Sequence, residues 1–220
     1  MAEDTGLIRS SRFNQDFLGL NALEERGFIR WVFHPGMLFA SSETWWQATG
    51  PRKNPHEGID FCFFRDNKKQ IHSLGAALKV PVMFDGRVVK IDDDFLGKSV
   101  FVRHTINDAN EMQLCSFYGH TRPLPETVRG ADVQAGSAIA AIADTGHTKN
   151  KMLPHLHVSV GWIEKGYPCE QLSWEIIGNP GVVRLMDPLE LMSCRYETIP
   201  HETLRDAGVM NPHIKGKDLP

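Results

Sequence analysis

The chain has 220 residues, 41% of them hydrophobic and 23% charged, with a formal net charge of −3. That size and balance suit one globular domain with a full core and an added terminal piece. So small a charge, with no long basic patch, argues against nucleic acid or a membrane surface as partner, and no apolar run approaches the roughly 20 residues of a transmembrane segment.

The N-terminal stretch 1–5 is acidic, with Glu3 and Asp4, and no apolar stretch follows within thirty residues, which is not the pattern of a signal peptide. The expectation is a chain that stays inside the cell or one trimmed of its leader. Residues 1–50 read as an irregular lead-in. Within it Phe17, Leu18, Leu20 and Leu23 predict a short helix over 14–25 ending near Gly27, and residues 28–33 predict a strand. Trp45 and Trp46 suit the core or a substrate groove, since aromatic rings serve both.

From Gly58 the pattern becomes short strands and turns. Residues 59–65 read as one strand. Residues 81–84 and 87–91 flank Asp85 and Gly86, a two-residue hairpin signal. Residues 98–106 and 112–118 flank the polar turn 107–110, a second hairpin. Residues 133–143 carry a Gly136 turn and a small-residue apolar run, and 155–162 form the last clear core strand. Beyond it, 182–185 predict a strand, 188–193 a short helix at most, and the tail from Thr198 is loosely held. The fold class is therefore mainly β: an antiparallel sandwich or partly open barrel-like core with irregular terminal extensions. None of Cys62, Cys115, Cys169 and Cys194 forms a C-x-x-C pair, so buried free thiols are expected, with Cys62 sharing the strand parity of Asp60.

Chemistry concentrates in two short stretches. His56 and Asp60 are four residues apart around Gly58, and His155 and His157 are two apart. On extended backbone residues two and four apart share a face. Two imidazoles and a carboxylate suit zinc, whose catalytic sites take three protein ligands and keep a fourth position open. Four candidates for three places leave one histidine over, and parity does not say which. His120, after Tyr118 and Gly119, is by itself an ordinary strand-end histidine. His104 suits either the core or a supporting contact, and His34, His72, His201 and His213 carry no functional argument. His147 stands out only by its place in the loop before His155.

Taken together, H-x-G-x-D at 56–60, Y-x-H at 118–120 and H-L-H at 155–157 resemble the lysostaphin-type (LytM-like) zinc metallopeptidases. The segments 85–88, 99–104, 133–140 and 144–146 resemble that family's framework in its order, so the likeness covers residues 50–162. The resemblance implies one Zn²⁺ per chain held by His56, Asp60 and His157. It implies catalytic roles for His120 and His155, facing the bound water and the substrate, without deciding which acts as base. Tyr118 shares the strand parity of His120 and is expected to add a hydrogen bond there or merely to pack, and Arg52 to orient a carbonyl or pair with an acid. The implied activity is a zinc metalloendopeptidase acting on peptidoglycan stems or cross-bridges, or on glycine-rich peptides. The implied location is the cell envelope, the periplasm or outside the cell, in tension with the acidic N-terminus.

Two positions depart from the family pattern. Thr121 replaces a common leucine, and the loop with His147, Lys149, Asn150 and Lys151 lacks a second Ser/Thr-Gly step. The expected division is an N-terminal extension packing on the core (1–49), the metallopeptidase core (50–165) and a C-terminal extension (166–220), with oligomeric state open. The alternative from another class is a non-catalytic scaffold of the same fold that regulates cell-wall hydrolases, which the intact ligand set disfavours. A biotinyl- or lipoyl-like carrier, suggested by 133–143, lacks a lysine on an exposed hairpin turn.

Overall fold

A computed structural model describes residues 10–46, 51–146 and 152–209. In chain order its elements are α1 (Phe13–Leu20), β1 (Phe28–Phe33), β2 (Ile59–Phe61), β3 (Phe63–Asp66), β4 (Ile71–Ser73), β5 (Lys79–Pro81), β6 (Gly86–Asp93), β7 (Lys98–Asn107), β8 (Gln113–Pro123), β9 (Asp132–Val133), β10 (Ala138–Ile142), β11 (Leu156–Ile163), α2 (Trp174–Ile177), β12 (Val183–Met186), β13 (Tyr196–Thr198) and α3 (His201–Asp206). The larger sheet runs β12-β11-β8-β7-β6-β9, with β2 on β11 and β10 bridging β8 and β5. The smaller sheet runs β13-β1-β3-β4. All pairings of named strands are antiparallel except β1 with β13. The fold is mainly β, with two sheets and no closed barrel among the described residues.

The period-two alternation of β7 and β8 places these strands between two cores. Val100, Val102, Leu114 and Tyr118 face the main core, together with Phe61 and Phe63. Phe101, Cys115 and Phe117 point the other way and meet Leu172, Ile177 and Val183 from the chain after β11. A strand covered on both faces has no polar side, which is why every residue of β11 is buried. The flanks contribute to this packing: Phe13 and Phe17 of α1 lie 6.1 and 6.4 Å from the Phe61 ring. Each such buried ring is worth roughly 1.5–3 kcal/mol.

Several local expectations need correction. The helix predicted over 14–25 stops at Leu20: Ala22 adopts a left-handed φ of 48°, and the Asn21 amide donates to the carbonyls of Phe17 and Lys79. The single strand 59–65 is two strands: β2 pairs with β11, and β3 pairs with β1 and β4. The chain changes sheets at buried Cys62, whose carbonyl accepts from Leu74 N at 2.8 Å. The hairpin at Asp85 and Gly86 does not form, since β5 pairs with β10 and β6 with β7 and β9. Gly86 is there for close approach instead: a Cβ would lie 2.4 Å from the Arg103 carbonyl oxygen across the pair.

The second hairpin forms as β7 and β8, its turn held by Asp108, whose carboxylate accepts from Asn110 N and Met112 N. Residues 188–190 form a single 3₁₀ turn. The tail is not wholly loose, for α3 buries Leu204 completely. All four cysteines are free thiols. Cys62 and Cys115 are fully buried, and Cys169 and Cys194 partly so.

Candidate metal centre

Strand pairing brings the separated stretches together. β11 lies between β2 and β8, with His157 opposite Asp60 on one side and Gly119 on the other. Gly58 permits the approach, since a Cβ there would fall 2.1 Å from the Val158 carbonyl oxygen. His56 precedes β2 on irregular backbone, held by its N–H to Ser41 O and by Ala40 N to its own carbonyl, both 2.9 Å.

Three acceptor atoms converge. His56 Nε2 is 3.1 Å from His157 Nδ1 and 3.3 Å from Asp60 Oδ1, and His157 Nδ1 is 2.9 Å from Asp60 Oδ1. The opposite ring nitrogens are occupied: His56 Nδ1 donates to Leu38 O at 3.1 Å, and His157 Nε2 lies 2.7 Å from Ser159 Oγ. Tetrahedral ligands at about 2.0 Å from an ion lie about 3.3 Å apart, close to these separations. The trio could hold a metal ion. The second carboxylate oxygen, Asp60 Oδ2, accepts from Trp45 Nε1 at 2.7 Å and lies 3.6 Å from the Arg52 guanidinium. Burial would raise the Asp60 pKa, but His56 and His157 outweigh it and bring it well below the usual range. Burial also lowers His157, to about 4, so its ring is neutral near pH 7.

His120 and His155 face the same cavity, their ring centroids 4.7 Å apart, and His120 lies 6.0 Å from His157. His155 Nδ1 donates to Leu153 O at 2.8 Å, leaving Nε2 available, and burial lowers its pKa to about 3. His120 sits at a slip in the β7–β8 register, between the pairs Lys98–Thr121 and Val100–Tyr118, with a left-handed φ of 61°. An extra residue in one strand re-aims a side chain.

That slip separates Tyr118 from His120. Tyr118 belongs to the core: its hydroxyl accepts from Met83 N at 2.8 Å and lies 2.9 Å from Ser116 Oγ. His104 is also a core histidine, its Nδ1 on Asp85 O and its Nε2 2.8 Å from Ser116 Oγ. Arg52 pairs with Asp60 and lies over the Trp46 ring at 4.6 Å.

The cavity measures about 270 Å³. Its walls include residues that motif reading missed. Asp94 and Phe95 come from the β6–β7 turn, and Trp174 from α2, with its ring 4.9 Å from His157. No spacing pattern marks them, although three successive aspartates at 92–94 before an apolar pair are an unusual turn. Of the two tryptophans, Trp45 is buried and Trp46 lines the cavity. His34, His72 and His201 stand outside it. His147, Lys149, Asn150, Lys151 and His213 lie outside the described residues.

Comparison with solved structures gives distant likenesses. The catalytic domain of a mutant prophage-encoded M23 protein, EnpA, from Enterococcus faecalis is 18% identical, covering 72% of this chain and 95% of that one, with a TM-score of 0.39. A peptidase M23 structure from Pseudomonas aeruginosa is 20% identical, covering 83% of this chain and 61% of that one, with a TM-score of 0.41. Lysostaphin is 15% identical, covering 95% and 61%, with a TM-score of 0.45. Likeness at that level says nothing of this chain's activity. No curated protein matches. Residues 54–169, just over half of the chain and spanning the three motifs, match the family described as Peptidase family M23, and to that peptidase family the chain belongs.

Proposed function

We propose that this protein is a zinc-dependent endopeptidase that cleaves peptide bonds in the stems or cross-bridges of peptidoglycan, with His56, Asp60 and His157 holding one Zn²⁺. The observation that carries the reading is the convergence of three acceptor atoms within 3.3 Å of one another beside two further histidines in one cavity. A zinc ion supplies Lewis-acid polarisation of a carbonyl and lowers the pKa of its water to about 7.

The remaining roles fall to the chain. Leu38 O and Ser159 Oγ fix the ring orientations of the two ligand histidines, and Trp45 holds Asp60 so that Oδ1 faces them. His120 and His155 take and return the proton that moves from the attacking water to the leaving amine. The tryptophan and phenylalanine rings on the walls restrict water and accept the flat peptide backbone. The substrate class follows the likeness of the motifs to lysostaphin-type enzymes, and a location at the cell envelope or outside the cell follows from the substrate.

The test is metal content of the purified chain by elemental mass spectrometry, paired with cleavage of muropeptides and glycyl peptides. About one zinc per chain, with cleavage lost on chelation and restored by zinc, is the expected result. Zinc bound without cleavage of either peptide class would favour a regulatory scaffold, and no zinc uptake would refute the site.

A further inference from the structure

Asp94 is a charged wall residue that neither the ligand set nor the histidine pair explains. Its side chain is completely buried, on the tight turn between β6 and β7. Four donors converge on its carboxylate. Oδ1 accepts from His120 Nδ1 at 3.1 Å and from Leu96 N at 2.9 Å. Oδ2 accepts from His120 N at 2.8 Å and from Ser99 Oγ at 2.7 Å. Ser99 Oγ in turn accepts from Trp174 Nε1 at 2.9 Å. One carboxylate thus binds both the backbone and the ring of His120, and the left-handed backbone of that residue brings the two donors to its two oxygens.

A carboxylate only accepts, so the Nδ1 beside it carries the proton and Nε2 keeps its lone pair. Burial alone would raise the pKa of Asp94, yet His120 and the Ser99 hydroxyl hold it well below the usual carboxylate range, so it remains an anion throughout neutral conditions. We propose that Asp94 is a positioning residue that fixes the Nδ1–H tautomer of His120, aims Nε2 into the cavity and balances the imidazolium formed when Nε2 takes a proton. The role in turnover rests on the endopeptidase reading above. The tautomer does not. The proton gained at Nε2 is the one lost by the attacking water, and it leaves on the amine of the departing peptide. The Trp174–Ser99 link extends this support to a residue beyond the matched segment 54–169, tying the chain after β11 to the orientation of His120.

The test is a long-range ¹H–¹⁵N spectrum of the full chain, loaded with zinc and labelled at histidine nitrogens, with His120 assigned by the loss of its signals in His120→Gln. The expected result for the neutral ring is a protonated Nδ1 and a bare Nε2. An Nε2–H tautomer in the wild-type chain would overturn the proposal without any variant. In Asp94→Asn one acceptor oxygen is replaced by an NH₂ group that cannot serve the same donors, so His120 should lose its single tautomer. kcat should fall about 100-fold, as for a disabled acid–base group, with KM and zinc content unchanged. An unaltered His120 spectrum and kcat in a folded Asp94→Asn chain would also overturn it. If the zinc-loaded wild type cleaves nothing, the endopeptidase reading fails while the tautomer result stands by itself.

Discussion

Trp45→Phe isolates one hydrogen bond at the proposed metal centre. In the wild type Trp45 Nε1 donates to Asp60 Oδ2 at 2.7 Å, while the indole packs on Phe63 and His155 with centroids 6.1 and 5.0 Å away. Phenylalanine keeps an aromatic ring there and removes the donor. Among the described residues, Oδ2 then has only the Arg52 guanidinium at 3.6 Å, too far for a good hydrogen bond. A hydrogen bond to a buried charged group contributes about 1.5–3 kcal/mol, and 1.4 kcal/mol is about a factor of ten in an equilibrium constant. A ligand carboxylate freed to turn should therefore weaken zinc binding by about 10- to 100-fold, the usual scale for losing a group that orients a ligand. Competition against a chromogenic chelator gives the Kd, and circular dichroism checks that the fold survives. A folded Trp45→Phe chain that binds zinc within threefold of wild type would refute the claim that Trp45 orients Asp60.

Three further outcomes follow from the same geometry. His157→Ala should abolish tight zinc binding, whereas His120→Ala should retain one zinc per chain and lose about 10²- to 10⁴-fold in turnover; loss of zinc from His120→Ala would reverse the division of roles. Gly58→Ala places a methyl group 2.1 Å from the Val158 oxygen, so β2 must part from β11 at a cost of about 1–3 kcal/mol, and an unchanged urea midpoint would count against that pairing as the source of ligand convergence. Burial lowers the His104 pKa to about 4 from 6.5. A histidine kept neutral when folded but free to protonate when unfolded gives stability that is full above pH 6.5 and declines as pH falls toward 4, by up to about 3 kcal/mol. Urea midpoints across that range should fall more steeply for wild type than for His104→Gln, and parallel slopes would refute the assignment.

His104 also shows how an ordinary-looking residue acquires a definite state. Its Nδ1 faces a carbonyl oxygen, Asp85 O, and so must donate. Nε2 then accepts from Ser116, Ser116 accepts from Tyr118, and Tyr118 accepts from Met83 N. Each direction follows from the one before. The chain crosses from β7 to β8 and on to the turn before β6, so its register lies in the pairing of strands rather than in local spacing.

The amino-acid sequence by itself determined the mainly β class, the hairpin of β7 and β8, and the four metal-capable side chains of its two strongest motifs, because residue chemistry, strand patterning and turn chemistry are local, although His56 and His155 lie just outside the strands. Which strands became neighbours beyond that hairpin was decided only in the tertiary structure. There residues 59–65 divide between two sheets, and Asp85 and Gly86 serve cross-strand contacts instead of a hairpin turn. The same holds within the site. Parity put Tyr118 and His120 on one face, but the register slip and left-handed backbone at His120 send one into the core and the other into the cavity. Asp94, Trp45 and Trp174 lie at no readable spacing from the histidines they support. The hydrogen bonds Trp45–Asp60, Asp94–His120 and Trp174–Ser99 span 15, 26 and 75 residues, and a contact of that range has no period in a sequence, since it depends on how the sheets stack.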